Sequence, residues 1–169
     1  SEGAGLGVRF LKHLTRCRLL LHAVDMLPPD GSNPAENVRV IANELKKFSP
    51  TLATRDRWLL LNKVDLLDEE EAEARCQAVI DELEWKGPVF RISALHRDGT
   101  AALSGRIMDH LEAIWADEKE NPESRERETE LQNQMAHEAR ERIEELRLAM
   151  REARLAAGED DDYNDDDYD

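Results

Sequence analysis

Only two cysteines occur in the sequence, Cys17 and Cys76, far apart and in no CxxC pair. A disulfide framework or a cysteine metal site is a poor reading of that spacing, and reduced thiols in a cytoplasmic protein are expected. No apolar run comes near the roughly 18 residues that a membrane-crossing helix needs. The charged, apolar and small-residue succession of a signal peptide is also missing. The five histidines, His13, His22, His96, His110 and His137, show no metal-ligand spacing. Positive charge is in deficit: 23 Lys and Arg stand against 38 Asp and Glu, a net charge of −15. The imbalance is concentrated in the terminal stretch EDDDYNDDDYD, whose self-repulsion predicts a solvated, disordered tail. Such a tail does not bind a phosphate backbone, but it suits a basic protein surface. Its Tyr163 and Tyr168 are candidate partner anchors.

What is present suffices for one domain with an appendage. The 169 residues are 40% hydrophobic and 36% charged, enough for a core and more charged than most domains. The opening SEGAGLG reads as the middle of a loop, so a fragment of a longer protein is expected. Val8, Leu11 and Leu14 then recur at helical spacing. RLLLHAVD is apolar on both faces and reads as a buried parallel strand. PAENVRVIANELKKF reads as a helix, with Pro34 in its first turn and Val38, Ile41, Ala42 and Leu45 on one face. The cycle repeats with strand RWLLLN and a helix capped by Asp68 that runs through Leu83. It repeats again with strand VFRIS, then Gly99 and a helix to about Trp115.

This alternation predicts an α/β fold with a parallel sheet and helices on both faces. Residues 116–122, ADEKENP, read as a polar linker. From Glu123 to about Ala157 a long charged helix is expected, with a narrow stripe of Leu131, Met135, Ala139, Ile143, Leu146 and Met150. That stripe can pack on the domain or on a partner helix. The expected division is therefore 1–117, 118–157 and 158–169.

The chemistry lies at strand ends, where parallel sheets hold ligands. Asn62, Lys63 and Asp65 follow the second strand, and Ser93 and Ala94 end the third. Together they read as NKxD plus SA, a pair of guanine-recognition loops. Guanine offers an N1–H and an N2 amine on one edge, and the Asp65 carboxylate can accept from both. Adenine lacks that donor pair. The amide of Asn62 can bond N7 and tie the loops together. The stem of Lys63 can lie on the ring while its ammonium stays wet. The Ala94 N–H can donate to O6, and Ser93 can orient its own loop. The plainer reading is turn chemistry, with Asp65 merely capping a helix. What a GTPase also needs, a G-x-x-x-x-G-K-[ST] phosphate cradle and a carboxylate for Mg2+, does not occur here, and Asp30 in DGSNP reads as a turn residue.

Around these motifs, EGAGLGVRFLKHLTRCRLLLHAVD resembles the segment after the Mg2+-binding DxPG of Obg-family GTPases, with Gly5-Leu6-Gly7, Phe10-Leu11, His13 and Arg16 matching. NPAENVRVIANEL, NKVDLLD and ISA extend the resemblance over roughly residues 2–115. It implies the C-terminal part of a P-loop-GTPase-type domain, three strands of its sheet, followed by the family's variable acidic extension. It further implies GTP and GDP binding, slow GTP hydrolysis with Mg2+ whose ligands lie upstream, and action on the large ribosomal subunit, both rRNA and ribosomal proteins, during its assembly. The full-length protein would be a cytoplasmic monomer, and this chain alone would be inactive, with no catalytic or metal residue of its own. Gly3, Gly5 and Gly7 would be switch II residues, although a flexible connector explains them equally. His13 would sit on the switch II helix, where packing is the simpler role. Lys12, Arg16 and Arg18 form a small basic patch that reads as a solvated face or as a contact to rRNA. The competing functional class is a non-catalytic α/β module whose acidic arm binds basic proteins.

Overall fold

The computed structural model describes residues 8–158. Along the chain it holds α1 (Val8–Leu14), β1 (Leu20–Asp25), α2 (Pro34–Phe48), β2 (Arg57–Asn62), α3 (Glu69–Glu82), β3 (Val89–Ile92), α4 (Thr100–Glu120) and α5 (Pro122–Ala157). The three strands form one parallel sheet in the order β1-β2-β3. This is the α/β alternation expected from the sequence. Gly3, Gly5, Gly7, Tyr163, Tyr168 and residues 159–169 lie outside the described residues.

Strand β2 is central, and Trp58, Leu59, Leu60 and Leu61 are all buried. Alternate side chains of a strand face opposite sides. Leu59 and Leu61 join Val24, Val38, Cys76 and Val79 under α2 and α3. Trp58 and Leu60 join Ile92 and Leu103 of α4 on the other face. Strand β1 forms an edge, and its Leu21 is 44% exposed.

Local chemistry sets the helix ends. Asn33 caps α2 by accepting from the Ala35 and Glu36 amides, with Pro34 following in the first turn. Asp68 caps α3 by accepting from the Glu71 N–H at 2.8 Å. The buried side of α2 is Ala35, Val38, Leu45 and Phe48, whereas Ile41 and Ala42 are half-buried.

The expected linker at 116–122 is not a loop. Helix α4 continues through Glu120, and only Asn121 separates it from α5. ADEKE is polar because it is a largely exposed helix surface, and all of its residues but Asp117 are good helix formers. The break comes from Asn121, which caps α5 through the Glu123 amide, and from Pro122 behind it.

Helix α5 docks on the domain. Met135, Ala139 and Ile143 join Leu11, Leu20, Leu45, Phe48 and Leu52 in one buried cluster, while Met150, at the far end of the expected stripe, is 53% exposed. Two glutamates fasten the helix. Glu128 pairs with both Arg18 and Arg55. Glu138 accepts from the Ser49 and Thr51 hydroxyls, the Thr51 amide and Gln134. Burial pushes the Glu138 carboxyl up, but those hydrogen bonds outweigh it and hold it below its ordinary value. Arg18 is thereby drawn into pairs with Glu118 and Glu128, so it does not belong to a solvated patch with the exposed Lys12 and Arg16.

His22 on β1 has an Nδ1 without a hydrogen-bond partner among the described residues. Burial, and then the neighbouring Arg57 charge, push its pKa down to about 4. A His whose folded pKa lies below its unfolded value favours the fold in its neutral form. That advantage is complete above about pH 6.5, declines as pH falls, and is gone below the folded pKa. The free energy of urea unfolding should therefore drop between about pH 6.5 and pH 4, by up to about 3 kcal/mol from this group. His22→Gln should flatten that part of the profile, and an equal drop in wild type and variant would contradict the assignment.

Candidate functional site

Parallel pairing brings the carboxyl ends of all three strands to one edge. Asp25, Asn62 and Ile92 are in register across β1, β2 and β3. The segment after β2 makes a short 3-10 turn over Val64–Leu66, and the one after β3 is a loop over 93–99.

Asn62 joins the two loops. Its Oδ1 accepts from the Ala94 N–H at 3.0 Å, across 32 residues of sequence. Ser93, only 1% exposed, organises its own loop, its Oγ accepting from the His96 N–H at 3.1 Å. Its N–H donates to the Asp98 carbonyl at 3.1 Å, closing a small antiparallel bridge. These bonds are the loop-tying and loop-orienting roles read from the sequence for Asn62 and Ser93. The Ala94 N–H, read from the sequence as a donor to guanine O6, donates to Asn62 Oδ1 in this structure.

Asp65 lies within the 3-10 turn and caps no helix; Asp68 performs that task for α3. The side chain of Asp65 is 15% exposed, although the residue's backbone lies open to solvent. Its Oδ2 stands 3.6 Å from Nε2 of His96. The helix-cap part of the plainer reading is therefore wrong, while its turn part stands, since Asp65 lies in the Val64–Leu66 turn. Its carboxylate instead faces the His96 ring of the neighbouring loop.

Lys63 adopts φ 68° and ψ 27°, the left-handed region. A residue with a Cβ is disfavoured there by roughly 1–2 kcal/mol. Its ammonium is also not simply wet, since it pairs with the Asp25 carboxylate at the end of β1. Among the described residues three non-glycine positions have positive φ, and two of them, Lys63 and Arg97, lie in these two loops. Backbone strain of this kind gathers where geometry serves a ligand.

Asp25 and His96 are the members that the sequence reading missed. Asp25 is the last residue of β1. That strand is an edge with only Leu20 and Val24 buried, rather than the strand buried on both faces that the sequence suggested. It has the same length as β2, so equal strand lengths were a usable signal. No motif points to His96; its placement follows from the turn that Ser93 organises. Among the other sequence candidates, His13 is exposed rather than packed. Asp30 is a turn residue as expected, its Oδ1 accepting from the Ser32 N–H at 3.0 Å. Among the described residues no cluster of three or more His, Cys, Asp or Glu is arranged to hold a metal ion.

A cleft of about 520 Å³ opens at the opposite, amino ends of β2 and β3, beside Arg57, Trp58, Arg106 and His110. It is remote from the joined loops. Asp56 and Asp109 line it together with the two arginines, so its charge selects no ligand class. The loops at the carboxyl ends are the stronger candidate because their polar groups converge.

No known protein-family model matches the chain.

Gly99 closes the 93–99 loop at φ +72°, where an added Cβ would meet the Arg91 carbonyl oxygen at 2.5 Å. Gly99→Ala should lower stability by more than about 2 kcal/mol, from the left-handed strain and the backbone clash together. It should also speed exchange of the Ser93 amide hydrogen. Urea unfolding with hydrogen exchange checks both. A loss below about 0.5 kcal/mol would mean the loop accommodates a side chain there.

Proposed function

We propose that the two joined loops recognise the guanine base of GTP or GDP, and that the chain is part of an Obg-like GTPase. The observation that carries this reading is the Asn62 to Ala94 hydrogen bond, with the Asp65 side chain beside it and uncommitted to capping. In that role Asp65 accepts from N1–H and N2 of guanine, and the Nδ2 of Asn62 donates to N7. The Lys63 stem supplies the face on which the ring rests. The Ala94 N–H, held by Asn62 in this structure, is the donor that O6 would share.

The parallel three-stranded sheet, with ligand groups at its carboxyl ends, is compatible with part of a P-loop-GTPase-type domain. No G-x-x-x-x-G-K-[ST] stretch occurs in the 169 residues. On this reading, the groups that cradle the phosphates and hold Mg2+ come from outside this sequence, and this chain contributes base selectivity rather than bond cleavage. Action on the large ribosomal subunit in the cytoplasm belongs to the same proposal and rests on the sequence resemblance. Among the described residues no helix is long and apolar enough to cross a membrane.

Asp65→Asn tests the base-recognition claim. It replaces one acceptor oxygen with a donor amide, which suits the C2 carbonyl of xanthine and not the N2 amine of guanine. Guanosine affinity should fall by about tenfold or more, while xanthosine affinity rises. Nucleoside titrations followed by amide chemical shifts measure both. Unchanged guanosine selectivity in the variant would count against Asp65 as the base reader.

A further inference from the structure

The Lys63 ammonium has a fixed counter-ion that plays no part in base recognition as described so far. Asp25 ends β1 and Asn62 ends β2, and the two are register partners. Lys63 follows at once, its backbone turned into the left-handed region and its Nζ hydrogen-bonded to Asp25 Oδ2. Asp25 is itself anchored, its Oδ1 accepting from the Leu27 N–H at 2.9 Å. The Met26 N–H donates to the Asn62 carbonyl at 3.0 Å, which clips the two strand ends together.

The pair is partly sheltered, with side-chain exposures of 41% for Lys63 and 29% for Asp25. Burial pushes the Asp25 carboxyl up, but the hydrogen bonds from Lys63 and the Leu27 amide outweigh it and hold it below its ordinary value. The carboxylate is thus charged and oriented across the neutral range. A lysine side chain otherwise samples many rotamers, and ordering it on binding weakens a complex. A stem fastened at both its backbone and its ammonium is ordered before the ligand arrives.

We infer that Asp25 is a positioning residue for base recognition: it holds the Lys63 ammonium so that the stem is already set as the surface on which a purine ring rests. The inference deepens the guanine reading and rests on it. Asp25 touches no base in this arrangement; it acts through Lys63. It also links the base site to the segment after β1, because the carboxylate that grips Lys63 is held by the Leu27 amide.

The test is a double-mutant cycle on the 169-residue chain, with guanosine as the probe and amide chemical shifts as the readout. Asp25→Ala should weaken guanosine binding by about three- to fivefold, the scale of a partly exposed ion pair. Asp25→Asn keeps the shape and an acceptor for the Leu27 amide, so it should weaken binding comparably while leaving the fold intact. It carries the test if the alanine variant loses its dispersed spectrum. Adding Asp25→Ala to Lys63→Ala should change guanosine affinity no further. Wild-type affinity in the Asp25 variants would overturn the inference. So would an equal loss with and without Lys63, because Asp25 would then act through the fold in general. If wild type binds no guanosine, the guanine reading itself fails and this inference with it, an outcome distinct from the other two.

Discussion

The parallel pairing of β2 on both its edges is the constraint on which the remaining structure depends. Four consecutive buried residues, Trp58 to Leu61, fill opposite faces of the sheet. Each large aliphatic or aromatic side chain so placed favours the fold by roughly 1.5–3 kcal/mol. A slip of one residue would turn Leu59 and Leu61 toward α4 and Trp58 and Leu60 toward α2 and α3, exchanging two cores of different shape. The register is therefore firmly set, and with it the positions of Asp25, Asn62 and Ser93. Polar groups that are expensive to bury stand at the carboxyl edge because the apolar run ends there, and their geometry follows from the pairing behind them.

The second organising feature is the docking of α5. Its apolar contribution is narrow, centred on Met135, Ala139 and Ile143. A stripe of that width leaves orientation loosely specified. Glu128 and Glu138 specify it, the first by gripping Arg18 and Arg55, the second by collecting donors from the turn at residues 49–51. The helix thus closes over α1 and the end of α2, on the side of the sheet's first strand. The joined loops belong to the other two strands, and α5 contributes none of their residues.

Much of this was legible in the sequence because local chemistry and global fold agree. Period-free apolar runs marked the strands, Asp68 announced the start of α3, and NKVD with SA marked the two loops. The departures share a physical cause, namely that each concerns a group whose role depends on a distant partner. ADEKE reads as a linker by composition, but its residues continue α4 as an exposed helical turn, and Glu118 within it reaches back to Arg18. Arg18 reads as part of a basic patch until Glu118 and Glu128 arrive from about a hundred residues later. Asp25 reads as the end of a strand until register sets it beside Lys63. The Ala94 amide reads as a free donor until Asn62 claims it. Periodicity and motif spacing carry local information; pairing between side chains across the sheet does not appear in either.

The central claim is that the loops after β2 and β3 act together as a guanine reader, and titration of the chain with guanosine, inosine and adenosine tests it most directly. Amide shifts report which residues respond. The account predicts that guanosine moves the signals of 62–66 and 93–97 together. Inosine, which lacks the N2 amine, should bind more weakly by about tenfold, the worth of one hydrogen bond to a carboxylate, and adenosine should leave both loops unmoved. Equal responses to guanosine and adenosine, or movement confined to residues away from both loops, would contradict it.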